Sequence, residues 1–326
     1  MPDLSTQLRD TVRALFSEGT IALAIGYERG SLPLRTTPCF VCGPEQVDRL
    51  LWDASCENNL VTYLRGLEQK KPAAKIAVVV KGCDGRSLVG MVVERQLRRE
   101  DLYIIAVPCE GVIDRKKIAA HVAPGEILEA LVAGDEIVLT VAGDGLEQAT
   151  QRLPLGDYLC DNCLTCRQRV APLHDVLLGE PPPEIEVIDE YPQVHAIEVL
   201  DAAGRWAYFS REFSRCIRCY ACRAACPLCY CSECFVDQTQ PAWFGKTDDL
   251  SDTLIFHLVR ALHLAGRCVD CGACVRACPM GIDLRSLSRK MAKEVRERYH
   301  YESGMDLETV PPLATFRQDD PQEFIK

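Results

Sequence analysis

The chain has 326 residues, which is enough for two domains. Its formal net charge of −10 argues against a nucleic-acid-binding surface, because such a surface needs a basic face. No stretch is long and apolar enough to span a membrane, and the first residues show no signal-peptide pattern. Because the chain nevertheless has 19 cysteines, we expect a cytoplasmic protein whose cysteines bind metal rather than form disulfides.

The N-terminal half shows alternating helix and strand patterns. In chain order these predict a helix over 4–18, a strand over 21–27, a broadly helical stretch over 50–67, a strand over 75–80, a helix over 86–97, a strand over 102–107 and a further strand over 137–141. The central strand–helix–strand segment predicts two parallel strands joined by a right-handed crossover. The expected fold class is therefore an α/β N-terminal domain with a parallel β–α–β unit.

The composition changes after about residue 180. Residues 181–204 begin with three prolines and an acidic stretch, which predicts a linker. Residues 205–296 are rich in cysteine and otherwise helical, with apolar spacing over 249–264, and they predict a mostly helical dicluster ferredoxin-like domain. Residues 297–326 hold few periodic apolar positions and predict a tail. The N-terminal domain is assigned to residues 1–180.

A short internal repeat gives the strongest signal in the sequence. Cys216–Pro227 recurs as Cys268–Pro279 with the same cysteine spacing and the same final proline. Two-residue gaps let a tight loop present three thiolates to one 4Fe–4S cluster, and the fourth cysteine of such a run binds the other cluster. We therefore predict one cluster on Cys216, Cys219, Cys222 and Cys278, and a second on Cys268, Cys271, Cys274 and Cys226.

Two further observations bear on the dicluster prediction. Zinc also takes four thiolates, but its ligands usually come as two separate pairs rather than as a triplet followed by Cys-Pro. The long helical connection between the repeats resembles the α-helical ferredoxins in subunits of heterodisulfide reductases and of fumarate or succinate oxidoreductases. Arginines flank both motifs, where they either offset cluster charge or are ordinary solvated side chains: Arg211, Arg215, Arg218, Arg223, Arg267 and Arg276.

A third cluster is predicted in the N-terminal domain. Cys83 and Cys109 each follow a predicted strand, and parallel sheets place their ligands at the carboxyl ends of their strands. Cys160, Cys163 and Cys166 form a further triplet; if it packs at that edge, four or five thiolates meet there. Taken alone, Cys83 or Cys109 could equally be a small buried apolar residue.

These N-terminal motifs resemble the β-subunit family of deazaflavin-coenzyme-reducing hydrogenases and formate dehydrogenases. The resemblance spans roughly residues 20–180 and lies in Val80–Asp84, Val107–Gly111 and Cys163–Cys166, followed by Ala171, Asp175 and Gly179. It implies Cys83, Cys109, Cys163 and Cys166 as ligands of the third 4Fe–4S cluster, with Cys160 as the alternate and Cys56 as a further participant. It also implies a flavin, FAD, although the chain has neither a G-x-G-x-x-G motif nor a P-loop.

The remaining cysteines are left unassigned. Cys39 and Cys42 form one Cys-x-x-Cys, which suits either a metal centre or a dithiol pair. Cys229, Cys231 and Cys234 follow the first cluster motif directly, but they do not supply four ligands locally.

The expected function is that of an iron–sulfur electron-transfer subunit in an anaerobic oxidoreductase complex. The expected partners are a flavoprotein and a hydrogenase, formate dehydrogenase or heterodisulfide-reductase-like subunit, with no nucleic acid. The alternative is a catalytic, flavin-containing subunit that oxidises or reduces a deazaflavin coenzyme.

Overall fold

The computed structural model describes residues 3–67, 74–143, 148–316 and 318. The chain divides into two compact units. The first comprises Met1–Leu60, Gly66–Gly82 and Arg99–Glu186, and the second comprises Val61–Arg65, Cys83–Arg98 and Val187–Lys326. These bounds differ from a simple division near residue 180, because two short N-terminal segments belong with the C-terminal unit.

The first unit is built on a five-stranded sheet in the order β2-β1-β3-β4-β8. Its strands are β1 (Ile21–Arg29), β2 (Thr36–Val41), β3 (Lys75–Val80), β4 (Leu102–Ala106) and β8 (Val176–Leu177). Pairing is parallel throughout, except that β2 runs antiparallel to β1. The β-branched run of β3 is buried from Ile76 onward, which suits a central parallel strand covered on both faces. The parallel pairing of β3 with β4 that the sequence predicts is present.

A second, antiparallel sheet belongs to the same unit. It contains β5 (Glu126–Ala133), β6 (Glu136–Ala142) and β7 (Gln148–Pro154), joined in chain order. The predicted strand over 137–141 is therefore present as β6, but it lies outside the parallel sheet. Its buried side chains alternate along the strand and pack with α3 (Arg115–Val122) in one core: Leu34, Ile113, Ile118, Val122, Ile137, Leu139, Val141 and Leu153.

Two predictions for the N-terminal segment have different outcomes. The amphipathic helix is present as α1 (Leu4–Ser17), and the Asp3 side chain caps it by accepting a hydrogen bond from the Thr6 N–H at 2.9 Å. The broadly helical stretch over 50–67 is wrong, since only Leu60–Leu64 forms a 3-10 helix. The Asp53 carboxylate accepts a bond from the Ser55 N–H at 2.7 Å, a local bond that competes with helix formation.

The second unit is helical. It contains α2 (Gly82–Val93) from Cys83 onward, α5 (Pro192–Glu198), α6 (Ala202–Phe213), α7 (Ala221–Ala224), α8 (Leu250–His263), α9 (Ala273–Arg276) and α10 (Arg285–Tyr299). The predicted helix over 249–264 is present as α8. One hydrophobic core of the second unit contains aromatic and aliphatic residues packed with cysteines of both repeats: Phe213, Cys216, Cys222, Val236, Phe256, Cys278, Ile282 and Leu284.

The segments predicted as linker and tail are more structured than expected. The stretch 181–204 contains all of α5, and Glu198 at its end is paired with Lys290 and Lys293 of α10, at 2.6 Å each. In the stretch 297–326, Tyr301 and Ser303 are buried, and Arg86 Nε donates to the Ser303 carbonyl at 2.8 Å. Residue 317 and residues 319–326 of the predicted tail lie outside the described residues.

None of the helices in the described ranges has the length and apolar character needed to cross a bilayer.

Candidate metal centres

The two cysteine loops of the second unit have matching backbones. Arg218 and Tyr220 in the first loop have φ of 51° and 59°, and Asp270 and Gly272 in the second have φ of 55° and 72°. These are equivalent positions of the repeat, two and four residues after its first cysteine. Left-handed backbone costs a non-glycine residue about 1–2 kcal/mol. Both loops therefore have left-handed backbone at the same two positions, and the sequence repeat is also a structural repeat.

The first set of cysteines comprises Cys216, Cys219, Cys222 and Cys278. Burial raises the pKa of the Cys216 thiol, and the neighbouring thiols of Cys278 and Cys219 raise it further. The Cys278 sulfur in turn accepts a hydrogen bond from the Ile282 N–H at 3.5 Å. The structure thus brings a cysteine of the second repeat beside those of the first, as the cross-ligated arrangement requires.

The second set comprises Cys226, Cys268, Cys271 and Cys274. Burial raises the pKa of both Cys268 and Cys271 to about 12, and the nearby Cys226 thiol contributes to both shifts. Cys226 comes from the first repeat, so the exchange of ligands runs in both directions. A hydrogen bond that the Cys226 thiol donates to the neighbouring Cys229, together with burial, raises the pKa of Cys226 well above its ordinary value and lowers that of Cys229.

The surroundings of these sulfurs suit a 4Fe–4S cluster. Backbone N–H groups point at the thiols: that of Arg218 lies 3.4 Å from Cys216 Sγ, and those of Asp270 and Ala273 act on Cys268 and Cys271. Such N–H···S bonds stabilise cluster thiolates and tune their potential. Among the described residues, no three His, Cys, Asp or Glu side chains surround a point where one metal ion would sit.

Helix α8 supplies a buried arginine that the sequence analysis did not single out. Arg260 is 5% exposed, and its Nη2 donates to the Cys222 carbonyl at 3.1 Å. Burial opposes its charge, but the surrounding thiols, led by Cys274 and Cys226, hold its pKa well above the ordinary value. Arg260 therefore interacts electrostatically with cysteines of both sets. Among the described residues its Nε has no hydrogen-bond partner.

His257, one turn earlier on α8, is the second residue that the sequence analysis did not identify. Its Nε2 lies 3.3 Å from Cys216 Sγ, and its ring stacks on Phe213 with centroids 4.6 Å apart. Burial, with Arg260 and Arg218 nearby, lowers its pKa to about 3, so the imidazole is neutral. Within the described parts of the chain its Nδ1 has no hydrogen-bond partner, so the contact with Cys216 Sγ is made by Nε2 alone. A proton on Nε2 would be donated to this sulfur when it is a cluster thiolate.

The first unit gathers a third group of cysteines. The sulfur of Cys163 accepts a hydrogen bond from the Val112 N–H at 3.4 Å. Val112, Cys160 and Cys163 form one buried apolar cluster, and Cys109 packs against that cluster. Burial raises the pKa of Cys109 to about 12, and the thiols of Cys163 and Cys166 raise it as well. The structure thus brings Cys109, Cys160, Cys163 and Cys166 together within one unit.

Cys83 is the second residue of α2 and belongs to the second unit. Its Sγ lies 3.7 Å from the Asp84 carboxylate. Its place in the third cluster stays a prediction.

A buried lysine and a cavity lie near Cys109. Lys81 is 2% exposed, its Nζ donates to the Tyr27 hydroxyl and to the Asn58 carbonyl, and its charge favours the thiolate form of Cys109. The cavity has a volume of about 700 Å³ and is lined by Trp52, Asp53, Pro108, Cys109, Glu110 and Leu159 among others. Volumes of 300–1,000 Å³ are typical of small-molecule and cofactor sites.

The other cysteines are scattered between buried and exposed positions. Cys39 is buried in β2, where burial and the Glu28 carboxylate raise its pKa to about 11, whereas Cys42 is exposed. Burial also raises the pKa of Cys56. Cys231 is exposed and Cys234 is half-buried. The choice between a metal centre and a dithiol for Cys39 and Cys42 therefore stays open.

Comparison with known proteins gives a domain match and curated relatives, of which two are described here. A protein-family model described as a 4Fe-4S dicluster domain matches residues 212–282. The β subunit of an F420-dependent formate dehydrogenase from Methanocaldococcus jannaschii is 33% identical over 129 residues, which cover 40% of this chain and 32% of the relative. The β subunit of F420-dependent formate dehydrogenase 1 from Methanococcus maripaludis is 25% identical over 92% of this chain and 90% of the relative.

The chain thus spans about a third of the length of the first relative and most of the second. Among solved structures, a chain of the F420-reducing [NiFe] hydrogenase complex from Methanosarcina barkeri matches 53% of this chain and 60% of its own length, at 15% identity and a TM-score of 0.38. The dicluster domain that the cysteine spacing predicts near the C-terminus is present.

Proposed function

We propose that this chain is an iron–sulfur electron-transfer subunit of an oxidoreductase complex. Its resemblance to the β-subunit family of deazaflavin-coenzyme-reducing hydrogenases and formate dehydrogenases is confirmed by its formate dehydrogenase relatives. The observation that carries the proposal is that Cys278 of the second repeat lies near Cys216 of the first, and that Cys226 of the first repeat lies near Cys268 of the second. This exchange ties the two loops together and keeps two clusters close, which electron transfer between them requires.

The ligand assignment follows from the same exchange. The first set, Cys216, Cys219, Cys222 and Cys278, would hold one 4Fe–4S cluster, and the second set would hold the other. When bound, these clusters accept and donate single electrons. The protein's own contribution is to bury the sulfurs, aim backbone N–H groups at them and place Arg260 beside both sets.

A third 4Fe–4S cluster is proposed in the first unit. Its candidate ligands within this unit are Cys109, Cys160, Cys163 and Cys166, and Cys83, which belongs to the second unit, stays a ligand that the family resemblance predicts. Cys160 is supported by its shared buried cluster with Cys163. Cys83 is supported by the family resemblance. Three clusters in one chain suit a relay that works between partner subunits, so we propose a flavoprotein or a hydrogenase, formate dehydrogenase or heterodisulfide-reductase-like subunit as partner.

A second candidate function is supported by the cavity beside Cys109. A flavin in this cavity, close to the third cluster, would make the chain the subunit that exchanges electrons with a deazaflavin coenzyme. The cavity has the volume of a cofactor site, and Trp52 supplies an aromatic wall. The two candidates differ in one measurable property, which is the flavin content of the anaerobically purified protein.

The test of the proposed function is cofactor quantitation on the full-length chain, reconstituted without oxygen. We expect about eight iron atoms from the dicluster domain and about four more from the third cluster. Cys226→Ser should damage the cluster of Cys268, Cys271 and Cys274, while Cys231→Ser, a change at an exposed cysteine, should leave iron content unchanged. Fewer than about eight iron atoms in the unmodified chain would contradict the dicluster proposal.

Flavin released on heating would favour the catalytic candidate. Trp52→Ala should then lower flavin content without lowering iron content. A protein with full iron and no flavin would leave the electron-transfer role as the only one of the two that stands.

A further inference from the structure

The two cysteine loops carry opposite charges at one equivalent position. Arg218 and Asp270 both stand two residues after the first cysteine of their repeat, and both have left-handed backbone, at φ of 51° and 55°. Because the loops curl in the same way, each residue has the same backbone relation to its own set of cysteines. At this position the two sets therefore face opposite charges, whereas the charge of Arg260 acts on both sets and that of Arg276 acts on the second.

The Arg218 guanidinium is buried, and its hydrogen-bond partners are neutral oxygen atoms. It is 8% exposed, and it donates to the carbonyls of Gly245 and Thr247 at 3.0 and 3.2 Å and to the Tyr220 hydroxyl at 3.0 Å. Among the described residues no carboxylate forms an ion pair with it, although the Asp252 carboxylate is close enough for the charge of Arg218 to lower the pKa of Asp252. The positive charge of Arg218 is therefore only partly offset. The Arg218 N–H lies 3.4 Å from Cys216 Sγ, so this charged residue stands directly beside the first set.

His257 adds a second difference between the sets. Its Nε2 lies 3.3 Å from the sulfur of Cys216, the first cysteine of the first loop, and would donate a hydrogen bond to that sulfur when it is a cluster thiolate. The equivalent cysteine of the second loop is Cys268, and in the described part of the chain no side chain donates to its sulfur. The first set therefore receives one more hydrogen bond at this position.

Asp270 brings the opposite charge to the second set. It stands two residues after Cys268, as Arg218 stands two residues after Cys216. The Asp270 carboxylate is paired with Arg285 through two bonds of 2.7 and 2.8 Å and lies 3.5 Å from Arg289. These pairs weaken its field at the cysteines, so we expect Asp270 to have a smaller effect on its set than Arg218 has on the first.

We propose that Arg218 and His257 hold a cluster on the first set at a more positive potential than the cluster on the second set, so that electrons collect on the first set. A nearby positive charge and a hydrogen bond to sulfur both stabilise the additional negative charge of a reduced cluster. One electron then leaves the reduced second cluster and reduces the oxidised first cluster, with no bond broken and no proton moved. This inference rests on the proposed dicluster function.

The direction of transfer agrees with the exposure of the first loop. Cys219 of the first set is exposed, and the adjacent Ile217 side chain is 56% exposed. An electron on a cluster bound by the first set would therefore lie close to the surface of the domain.

The experiment is an anaerobic redox titration of the full-length, reconstituted chain, followed by electron paramagnetic resonance. Arg218→Gln should lower the reduction potential of the higher-potential cluster by about 59 mV, which corresponds to a tenfold shift in the distribution of one electron between the two clusters. His257→Phe should lower the potential of the same cluster. Asp270→Asn should raise the potential of the other, lower-potential cluster. His263→Phe is the matched control, because His263 lies on the same helix and is exposed.

Two variants separate electrostatics from folding. His257→Phe preserves an aromatic ring against Phe213 and removes a buried nitrogen without a partner, so it should fold. Arg218→Lys keeps the charge and should keep the higher potential, whereas a purely structural role would make Lys and Gln shift it equally.

Three outcomes bear on the inference and on the function separately. Eight iron atoms with unchanged potentials in Arg218→Gln and His257→Phe would overturn the inference and leave the dicluster function standing. If these two variants lowered the reduction potential of the lower-potential cluster instead of the higher-potential one, the inference would also be overturned. Absence of the two clusters from the unmodified chain would overturn the function itself.

Discussion

Gly82→Ala should destabilise the first unit by a steric clash alone. Gly82 follows strand β3 and faces the backbone of the segment that follows Cys166. A Cβ on Gly82 would lie 2.8 Å from the Gln168 carbonyl carbon and closer still to its oxygen, whereas real Cβ contacts essentially never fall below 3.0 Å. The backbone angle of Gly82 is not left-handed, so the clash is the only reason for the glycine.

The magnitude follows from what has to move. The obstacle is main chain and has no rotamer by which to escape, and the same segment accepts the Cys109 N–H at the Arg169 carbonyl, at 3.0 Å. Overpacking of this kind costs about 1–3 kcal/mol, and we expect about 3 here. In a unit of this size, 1 kcal/mol corresponds to about 2–4 °C, so Tm should fall by about 6–12 °C. The displaced segment should also misplace Cys166 and lower iron content.

The assay is anaerobic scanning calorimetry of the full chain at a fixed scan rate, with iron measured on the same sample. Gly156→Ala is the control, since a Cβ at Gly156 would meet no atom within 4 Å. We expect the control to melt like the unmodified protein. If Gly82→Ala melted within about 1 °C of the unmodified protein and kept all its iron, the steric argument would be refuted.

Three other predictions follow. Arg260→Met removes a charge near both cysteine sets, so iron should be released faster from both clusters under a chelator, while Arg260→Lys should release it at nearly the original rate. Glu198→Gln should cost about 0.5–1 kcal/mol at low salt and almost nothing at about 1 M salt, measured by denaturant unfolding, because its pairs with Lys290 and Lys293 are partly exposed. Hydrogen bonds from these lysines lower the pKa of Glu198 to about 2, so the contribution should be complete above the ordinary value of 4.5 and fade as pH falls towards 2. Since burial raises the pKa of Cys271 to about 12, the metal-free Cys271 thiol is protonated at neutral pH, so its binding to a cluster should release a proton and reconstitution should proceed faster at pH 9 than at pH 7.

Features encoded within a few residues could be predicted from the sequence. Each cluster loop is set by two-residue gaps between cysteines, so Cys216–Pro227 and Cys268–Pro279 were recognisable without any tertiary information. Helix α8 and strands β1, β3 and β4 were likewise visible, because their apolar periodicity is local. The match of a dicluster domain to residues 212–282 confirms that this local signal was read correctly.

Features that depend on packing between distant segments could not be predicted in the same way. His257 and Arg260 looked like interruptions of an apolar helix, and only the side of α8 that faces the cysteines gives them a role. The helical assignment of 50–67 failed for a related reason. Its apolar residues are buried, but local side-chain bonds around Asp53 replace the helix with turns. Assignment of α2 to the second unit was also invisible, because it follows from contacts far along the chain.

Buried cations beside cysteines form a common design in both units. A cluster held by four thiolates is anionic, and placing it away from water is costly unless positive charge lies close. In the first unit Lys81 contacts neutral oxygens of Tyr27 and Asn58 and favours the thiolate of Cys109. In the second unit Arg260 donates to the Cys222 carbonyl. Each of these two cations has neutral oxygen atoms among its hydrogen-bond partners, and the charge of each acts on the nearby sulfurs.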